Sequence, residues 1–169
     1  MPVFVFLFIV LFASCPAAAE VVRLSPPDPV GGIRIDIHPA EGKMEPAAEA
    51  LLTDPSGRKA GIDPASGRQL KEIPNSYYER EGLDDDETGE PGPASAILDV
   101  VGPAEGDYIL RVTGTEDGSY DMEAMTYDAD HGSSYYPFLK VPIKKGKTHI
   151  YAFTYRQYPG GQIPIKRVK

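Results

Sequence analysis

The chain has 169 residues, a formal net charge of −8, a single cysteine and no tryptophan. The net negative charge disfavours nucleic-acid binding, which requires a basic surface. The single cysteine excludes a disulfide within the chain. Residues 1–139 hold nine basic side chains against all 25 acidic ones, whereas residues 140–169 hold eight basic side chains and no acid. We interpret the basic end as strands that pair with acidic neighbours in the same fold, and the alternative is a partner-binding arm.

The chain begins with an apolar segment. Residues 3–13 are almost purely apolar and are followed by small residues, a pattern typical of a secretory signal peptide. We therefore predict that residues 1–19 are a signal peptide and that residues 20–169 form one mature domain in the periplasm or outside the cell. The alternative is a lipoprotein signal cut before Cys15, with a lipid on Cys15 as the membrane anchor.

The first predicted strands follow from residue alternation and from turn sequences. Isoleucines alternate with polar residues over 33–37, as in a strand with one buried face. Residues 48–53 and 59–62 are predicted to form two further strands. The motif D-P-S-G at 54–57 and the related motif at 63–67 bound them, because aspartate, proline and glycine favour tight turns.

Segment 74–93 is predicted to be a long acidic loop. It contains seven acidic side chains, and the glycines and prolines at 89–93 interrupt any regular pattern. Long loops in compact domains are often functional, so we expect this loop to take part in binding.

The strand pattern is clearest in the middle of the chain. Residues 96–100, 108–112 and 120–124 each alternate between apolar and polar side chains. Short glycine-containing segments at 102–106 and 114–118 separate them. This arrangement predicts an antiparallel meander, in which consecutive strands pair with each other.

The last strands are predicted from residue 139 onward. Residues 139–143 contain Pro142, which cannot donate to a strand ladder and therefore places this strand at a sheet edge. Residues 149–155 are apolar on both faces and are expected to be central, and 163–165 to form a last edge strand. No strong amphipathic helix is evident. About eight short strands predict one all-β domain, an antiparallel β-sandwich that is immunoglobulin-like or jelly-roll-like.

Segments 106–114, 118–120 and 127–130 carry a resemblance to a known family. The run G-D-Y-I-L-R-V-T-G, then G-S-Y, then Y-D-A-D, resembles bacterial pre-peptidase C-terminal domains, which are small β-sandwiches of secreted proteins. The likeness covers about residues 94–130. It implies a sandwich with an accessory or binding role and implies no catalytic residue.

No recognised catalytic motif occurs in the chain. The G-x-S-x-G, H-E-x-x-H, P-loop and G-x-G-x-x-G patterns are all missing from the sequence. The three histidines, His38, His131 and His149, are interpreted as ordinary surface or strand positions. We therefore expect a protein that is not an enzyme.

Two acidic segments predict a calcium site. Asp128 and Asp130 form the Asp-x-Asp start of a calcium loop. Because calcium takes six to eight oxygen ligands, a second segment must contribute, and Asp84, Asp85 and Asp86 would do so if the fold brings the loops together. The alternative is two solvated acidic turns with no cofactor.

The expected function is that of a non-catalytic accessory or interaction domain that binds a protein or a component of the cell envelope. One alternative is a calcium- or carbohydrate-binding module, in which Tyr135, Tyr136, Tyr155 and Tyr158 would supply rings for sugar stacking. The other alternative is a small secreted hydrolase with an unrecognised site, which would bring histidines or acid pairs into one pocket.

Overall fold

The computed structural model describes residues 31–84, 88–129, 132–157 and 164–169. Within these ranges the chain forms eleven strands and no helix. The strands are β1 (Gly32–Pro39), β2 (Ala48–Thr53), β3 (Lys59–Ile62), β4 (Gln69–Lys71), β5 (Ser76–Asp84), β6 (Pro91–Val101), β7 (Gly106–Gly114), β8 (Gly118–Tyr127), β9 (Ser133–Ile143), β10 (Thr148–Tyr155) and β11 (Lys166–Arg167).

The strands form two antiparallel sheets that pack face to face. Sheet A has the order β5-β6-β1-β8-β9, and sheet B has the order β11-β10-β7-β2-β3-β4. The predicted all-β antiparallel sandwich is therefore confirmed. The predicted signal peptide and Cys15 lie outside the described residues. Among the residues that the structure describes, no helix is long and apolar enough to cross a membrane.

The core lies between the sheets and is rich in tyrosine. Aliphatic side chains from the alternating strands fill most of it, and Ile35, Leu98 and Leu110 are fully inaccessible to solvent. Four tyrosines are equally inaccessible: Tyr108, Tyr120, Tyr151 and Tyr155. Because a buried hydroxyl without a partner is costly, each of them needs a hydrogen bond inside the sandwich.

The predicted meander is wrong. Strands β6 and β8 lie in sheet A, whereas β7 between them lies in sheet B, so consecutive strands cross from one sheet to the other. Alternation of apolar and polar residues shows that one face of a strand is buried. A strand can bury that face in either of the two sheets, so alternation does not identify its sheet. Short loops such as 102–105 and 115–117 connect strands across the sandwich as well as within a hairpin.

The predicted long acidic loop over 74–93 is also wrong in most of its length. Strand β5 pairs with β6 in an antiparallel hairpin, with a register irregularity between Gly82 and Asp84. Tyr78 packs into the core, while Glu79 and Glu81 point to solvent on the opposite face. The acidic residues lie on the solvent-exposed face of a strand, and their number made the segment resemble a loop in composition.

Other predictions of strand position agree with the structure. Strand β9, which carries Pro142, lies at an edge of sheet A, and β10 lies inside sheet B. The last strand, β11, begins at Lys166 rather than at 163 and pairs with β10 at the edge of sheet B. Residue 163 lies outside the described ranges.

Candidate functional site

The outer face of sheet A carries most of the charge of that sheet. We call it the acidic face and define it by eight outward side chains: Arg34, Asp36, His38, Glu79, Glu81, Asp99, Asp121 and Glu123. They form rows across the sheet because the strands are in register, with Asp36 opposite Ile97 on one side and Glu123 on the other.

The alternation of β1 creates the centre of this face. Isoleucines 33, 35 and 37 are buried against sheet B, so Arg34, Asp36 and His38 must point outward. Strand β1 is the middle strand of sheet A, which places these three side chains far from either edge.

Asp36 is a buried carboxylate on this outward side. Only 9% of its side chain is exposed. The Nε of Arg34 donates to Asp36 Oδ2 at 3.0 Å, and the same guanidinium reaches Asp99 Oδ2 at 3.3 Å. Asp36 Oδ1 is also buried and has no hydrogen-bond partner among the described residues. A buried carboxylate oxygen without a partner destabilises the fold unless something else binds it.

His38 lies next to Asp36 and contacts two other strands. Its Nδ1 is 2.8 Å from Ser95 Oγ on β6, and its Nε2 is 4.0 Å from Glu123 Oε2 on β8. One ring nitrogen of His38 and one carboxylate oxygen from each of Asp36 and Glu123 lie within 4.8 Å of one another. The arrangement therefore gathers three groups of the kinds that ligate metals.

The concentration of negative charge on the acidic face changes the pKa values of neighbouring groups. Burial raises the pKa of Asp99, and nearby Asp36 and Glu79 raise it further, while Arg34 opposes the shift. The nearby Glu123 carboxylate raises the pKa of Tyr135.

The centre of the acidic face opens to solvent through a groove of about 450 Å³. His38 and Ser95 lie on its walls together with Glu81 and Pro93. The side chains of His38 and Glu123 are each about one third exposed, at 36% and 34%. A small ligand or ion therefore has direct access to them.

The structure does not bring the predicted calcium ligands together. Asp84 lies beside Pro91, beyond the end of β1, whereas Asp128 follows Tyr127, which is opposite Gly32 at its start. The two are separated by roughly 20 Å or more, given the rise of a strand. Asp85, Asp86 and Asp130 lie outside the described residues.

Asp128 has a local structural role. Its Oδ1 accepts a hydrogen bond from the Gly132 amide at 2.7 Å, and the Asp128 amide donates to the Gly132 carbonyl at 2.9 Å. These two bonds join Asp128, which follows β8, to Gly132, which precedes β9.

The tyrosines considered for sugar stacking do not form a common platform. Tyr155 is fully buried, so its ring is not accessible to a sugar. Tyr135 is 52% exposed on the outer side of β9, while its neighbour Tyr136 packs against the core from the other side. Tyr158 lies outside the described residues.

His149 lies in strand β10, as one of the expected positions had it, but its side chain is buried. Its Nδ1 is 2.9 Å from the hydroxyl of Tyr120, and that hydroxyl is 2.8 Å from the hydroxyl of Tyr151. Burial lowers the pKa of His149, and the charge of Arg167 lowers it further. The buried environment therefore favours the neutral form of this ring, which belongs to the core network.

The basic end of the chain does not pair with acids in the way expected. Within the ranges that the structure describes, none of the eight lysines and arginines after residue 139 forms an ion pair within 4.0 Å. They lie on or next to β9, β10 and β11, and Phe138 of β9 packs on Tyr151 of β10. The basic side chains therefore gather along one side of the sandwich.

The group formed by Asp36, His38, Ser95 and Glu123 was not predicted from the sequence. The pattern Asp-x-His on one outward face was the available signal. Comparison with protein-family models, with curated proteins and with solved structures finds no match to this chain.

Proposed function

We propose that this protein is an exported, non-catalytic binding module that holds a cationic protein partner on its acidic face. The observation that carries the proposal is the composition of that face, which presents six carboxylates against one arginine and one histidine. Export is supported by the signal-like residues 1–19.

Part of the negative charge on this face is available to a partner. Arg34 is already engaged by Asp36 and Asp99, so it compensates charge at the centre only. Glu79 and Glu81 are exposed on β5. A surface of one charge sign accelerates encounter with an oppositely charged partner and disfavours like-charged ones.

Two exposed tyrosines border the acidic face. Tyr77 on β5 is 53% exposed and Tyr135 on β9 is 52% exposed. They stand at the ends of one row, because Tyr77 is opposite Asp99 and Tyr135 is opposite Met125. Tyrosines are frequent anchors in protein interfaces, since they bury a large ring and keep a hydrogen-bonding hydroxyl.

The proposal is tested by comparing two charge variants. The first, Glu79→Gln with Glu81→Gln, removes two exposed charges from the acidic face, and the control, Glu41→Gln with Glu116→Gln, removes two exposed charges elsewhere. Each protein is immobilised and exposed to a cell-envelope extract, and a lysine-rich peptide is titrated in parallel by fluorescence anisotropy.

We expect the wild type and the control to retain the same basic protein and to bind the peptide. The face variant should lose both, as should the wild type when ionic strength rises from about 0.15 M to about 1 M. Equal retention by the face variant would refute the proposal.

A secreted hydrolase is the second candidate, and one observation favours it. Ser95, His38 and Glu123 have the residue types of a nucleophile, a base and an orienting acid. Ser95 Oγ is 2.8 Å from His38 Nδ1, and Glu123 Oε2 is 4.0 Å from His38 Nε2. A fluorophosphonate probe tests this candidate. Labelling of Ser95 that is lost in His38→Ala supports it, and an unlabelled wild type rules it out.

A further inference from the structure

We infer that Asp36, His38 and Glu123 form a binding site for one divalent transition-metal ion, on the centre of the acidic face. Their ligand atoms lie within 4.8 Å of one another. This inference is independent of the proposed partner, because metal binding is a property of the protein alone.

The mixture of ligands selects the class of ion. A histidine nitrogen suits zinc, nickel, iron or copper, whereas calcium and magnesium prefer sites made only of oxygen. Ligands of one tetrahedral zinc ion lie roughly 3.4 Å apart, as bond lengths near 2.1 Å require. The His38 Nε2 and Glu123 Oε2 atoms are 4.0 Å apart, so small side-chain rotations bring them to that spacing.

Two of the three proposed ligands, Asp36 and His38, are each held by a neighbour through an atom that the ion does not need. Arg34 donates to Asp36 Oδ2, which leaves Oδ1 for the ion. Ser95 Oγ engages His38 Nδ1, which leaves Nε2 on the side of Glu123. Such outer partners orient ligands in metal sites and are commonly worth a factor of 10–100 in affinity.

The unpartnered oxygen of Asp36 is independent support for a ligand. The side chain is more than nine-tenths buried, yet Oδ1 has no hydrogen-bond partner among the described residues. Desolvating a carboxylate oxygen without a partner is unfavourable, and a bound cation would compensate that penalty. If the group served only as an ion pair between His38 and Glu123, the Oδ1 atom of Asp36 would remain without a hydrogen-bond partner.

Three protein ligands leave at least one coordination position open. The partly exposed His38 and Glu123 give an ion a route from solvent, and water or a group from another molecule would complete its coordination. This is the coordination number of sites that bind an exchangeable ligand, rather than that of closed structural sites.

The test is a titration of the purified, tag-free protein with Zn²⁺ by isothermal calorimetry. We expect one ion per chain. His38→Ala and Glu123→Gln should each weaken binding at least about tenfold, and Ser95→Ala about tenfold through loss of ring orientation. The matched control is Glu79→Gln, which removes an acid of the same face that is not a ligand, and it should bind Zn²⁺ as the wild type does.

Nuclear magnetic resonance of imidazole ¹⁵N in the wild type gives a readout that requires no variant. Coordination should shift the Nε2 signal of one histidine, assigned to His38 by its loss in His38→Ala, and leave His149 unchanged. Three outcomes would each overturn the inference: no Zn²⁺ binding by the folded wild type, unchanged binding in His38→Ala, or displacement of Zn²⁺ by an equal concentration of Ca²⁺.

Discussion

The hydroxyl of Tyr155, on sheet B, donates a hydrogen bond to the main-chain carbonyl of Tyr127, on sheet A, at 2.9 Å. This hydrogen bond crosses the sandwich next to Gly31, the residue that directly precedes β1. A side chain at position 31 would overlap that hydroxyl and the Tyr127 carbonyl. A direct polar link between the two sheets therefore depends on a glycine.

This relationship predicts that Gly31→Ala destabilises the protein. The new methyl group must displace the Tyr155 hydroxyl, and we expect a loss of about 1–3 kcal/mol in the free energy of unfolding, measured by urea denaturation. The adjacent Gly32→Ala is the control, since its methyl group would meet neighbours at ordinary contact distances of 3.4 and 3.5 Å. Equal effects at the two positions would contradict the prediction.

The buried hydroxyl of Tyr120 connects His149 and Tyr151 in the core. Tyr120→Phe preserves the ring but leaves both partners without that contact, so we expect the free energy of unfolding to fall by about 1–3 kcal/mol. Tyr77→Phe, at an exposed ring, is the matched control and should change stability little. Urea denaturation of both variants measures the difference.

The network around His149 also predicts a dependence of stability on pH. Burial and Arg167 lower the pKa of His149 in the folded state, so below about pH 6.5 the unfolded chain binds a proton that the folded chain resists. This contribution to stability is present above that pH and is lost as pH falls through the lowered folded pKa.

We expect the melting temperature of the wild type to fall between pH 7 and pH 5. Arg167→Gln removes one cause of the lowered pKa, so its melting temperature should fall less over the same interval. Lys166→Gln, the neighbouring base on β11, is the control for net charge. A steeper fall in Arg167→Gln would contradict the assignment.

Two similar turns give a comparison of buried and exposed aspartates. Asp54 has a fully buried side chain, whose Oδ1 accepts from the amides of Ser56 and Arg58 while Oδ2 receives the Arg58 guanidinium. Asp54→Ala should therefore reduce the free energy of unfolding by about 1–3 kcal/mol. Asp63 makes analogous contacts at an exposed turn, so Asp63→Ala should cost less. Chemical denaturation of the pair measures the contrast, and an equal or larger loss in Asp63→Ala would contradict it.

The sequence allowed most individual strands to be predicted but not their neighbours. Alternation identified β1, β7 and β8 because buried and wet faces differ in polarity. It does not specify which sheet a strand joins, so the predicted meander over 94–125 was wrong. Strand β5 was missed because Glu79 and Glu81 lie on its wet face, where acidic residues are tolerated.

The candidate site was only partly accessible to sequence reasoning. Asp36 and His38 are two residues apart on a predicted strand, so their shared face was evident. Glu123 and Ser95 are distant in sequence, and they reach His38 only through the register of β8 and β6 against β1. The predicted ligands Asp84 and Asp128 failed to meet for the same reason, since their positions depend on pairings that composition does not encode.

The edge of sheet A that is formed by β9 has a consequence for how copies of this protein meet. Strand β9 carries Pro137 and Pro142, each lacking an amide donor, and Lys140 has a positive φ of 51° near a register irregularity. An added strand needs an uninterrupted row of amides and carbonyls, which this edge does not offer. Strand β9, which bounds the acidic face on one side, therefore disfavours pairing with a strand of another copy along this edge.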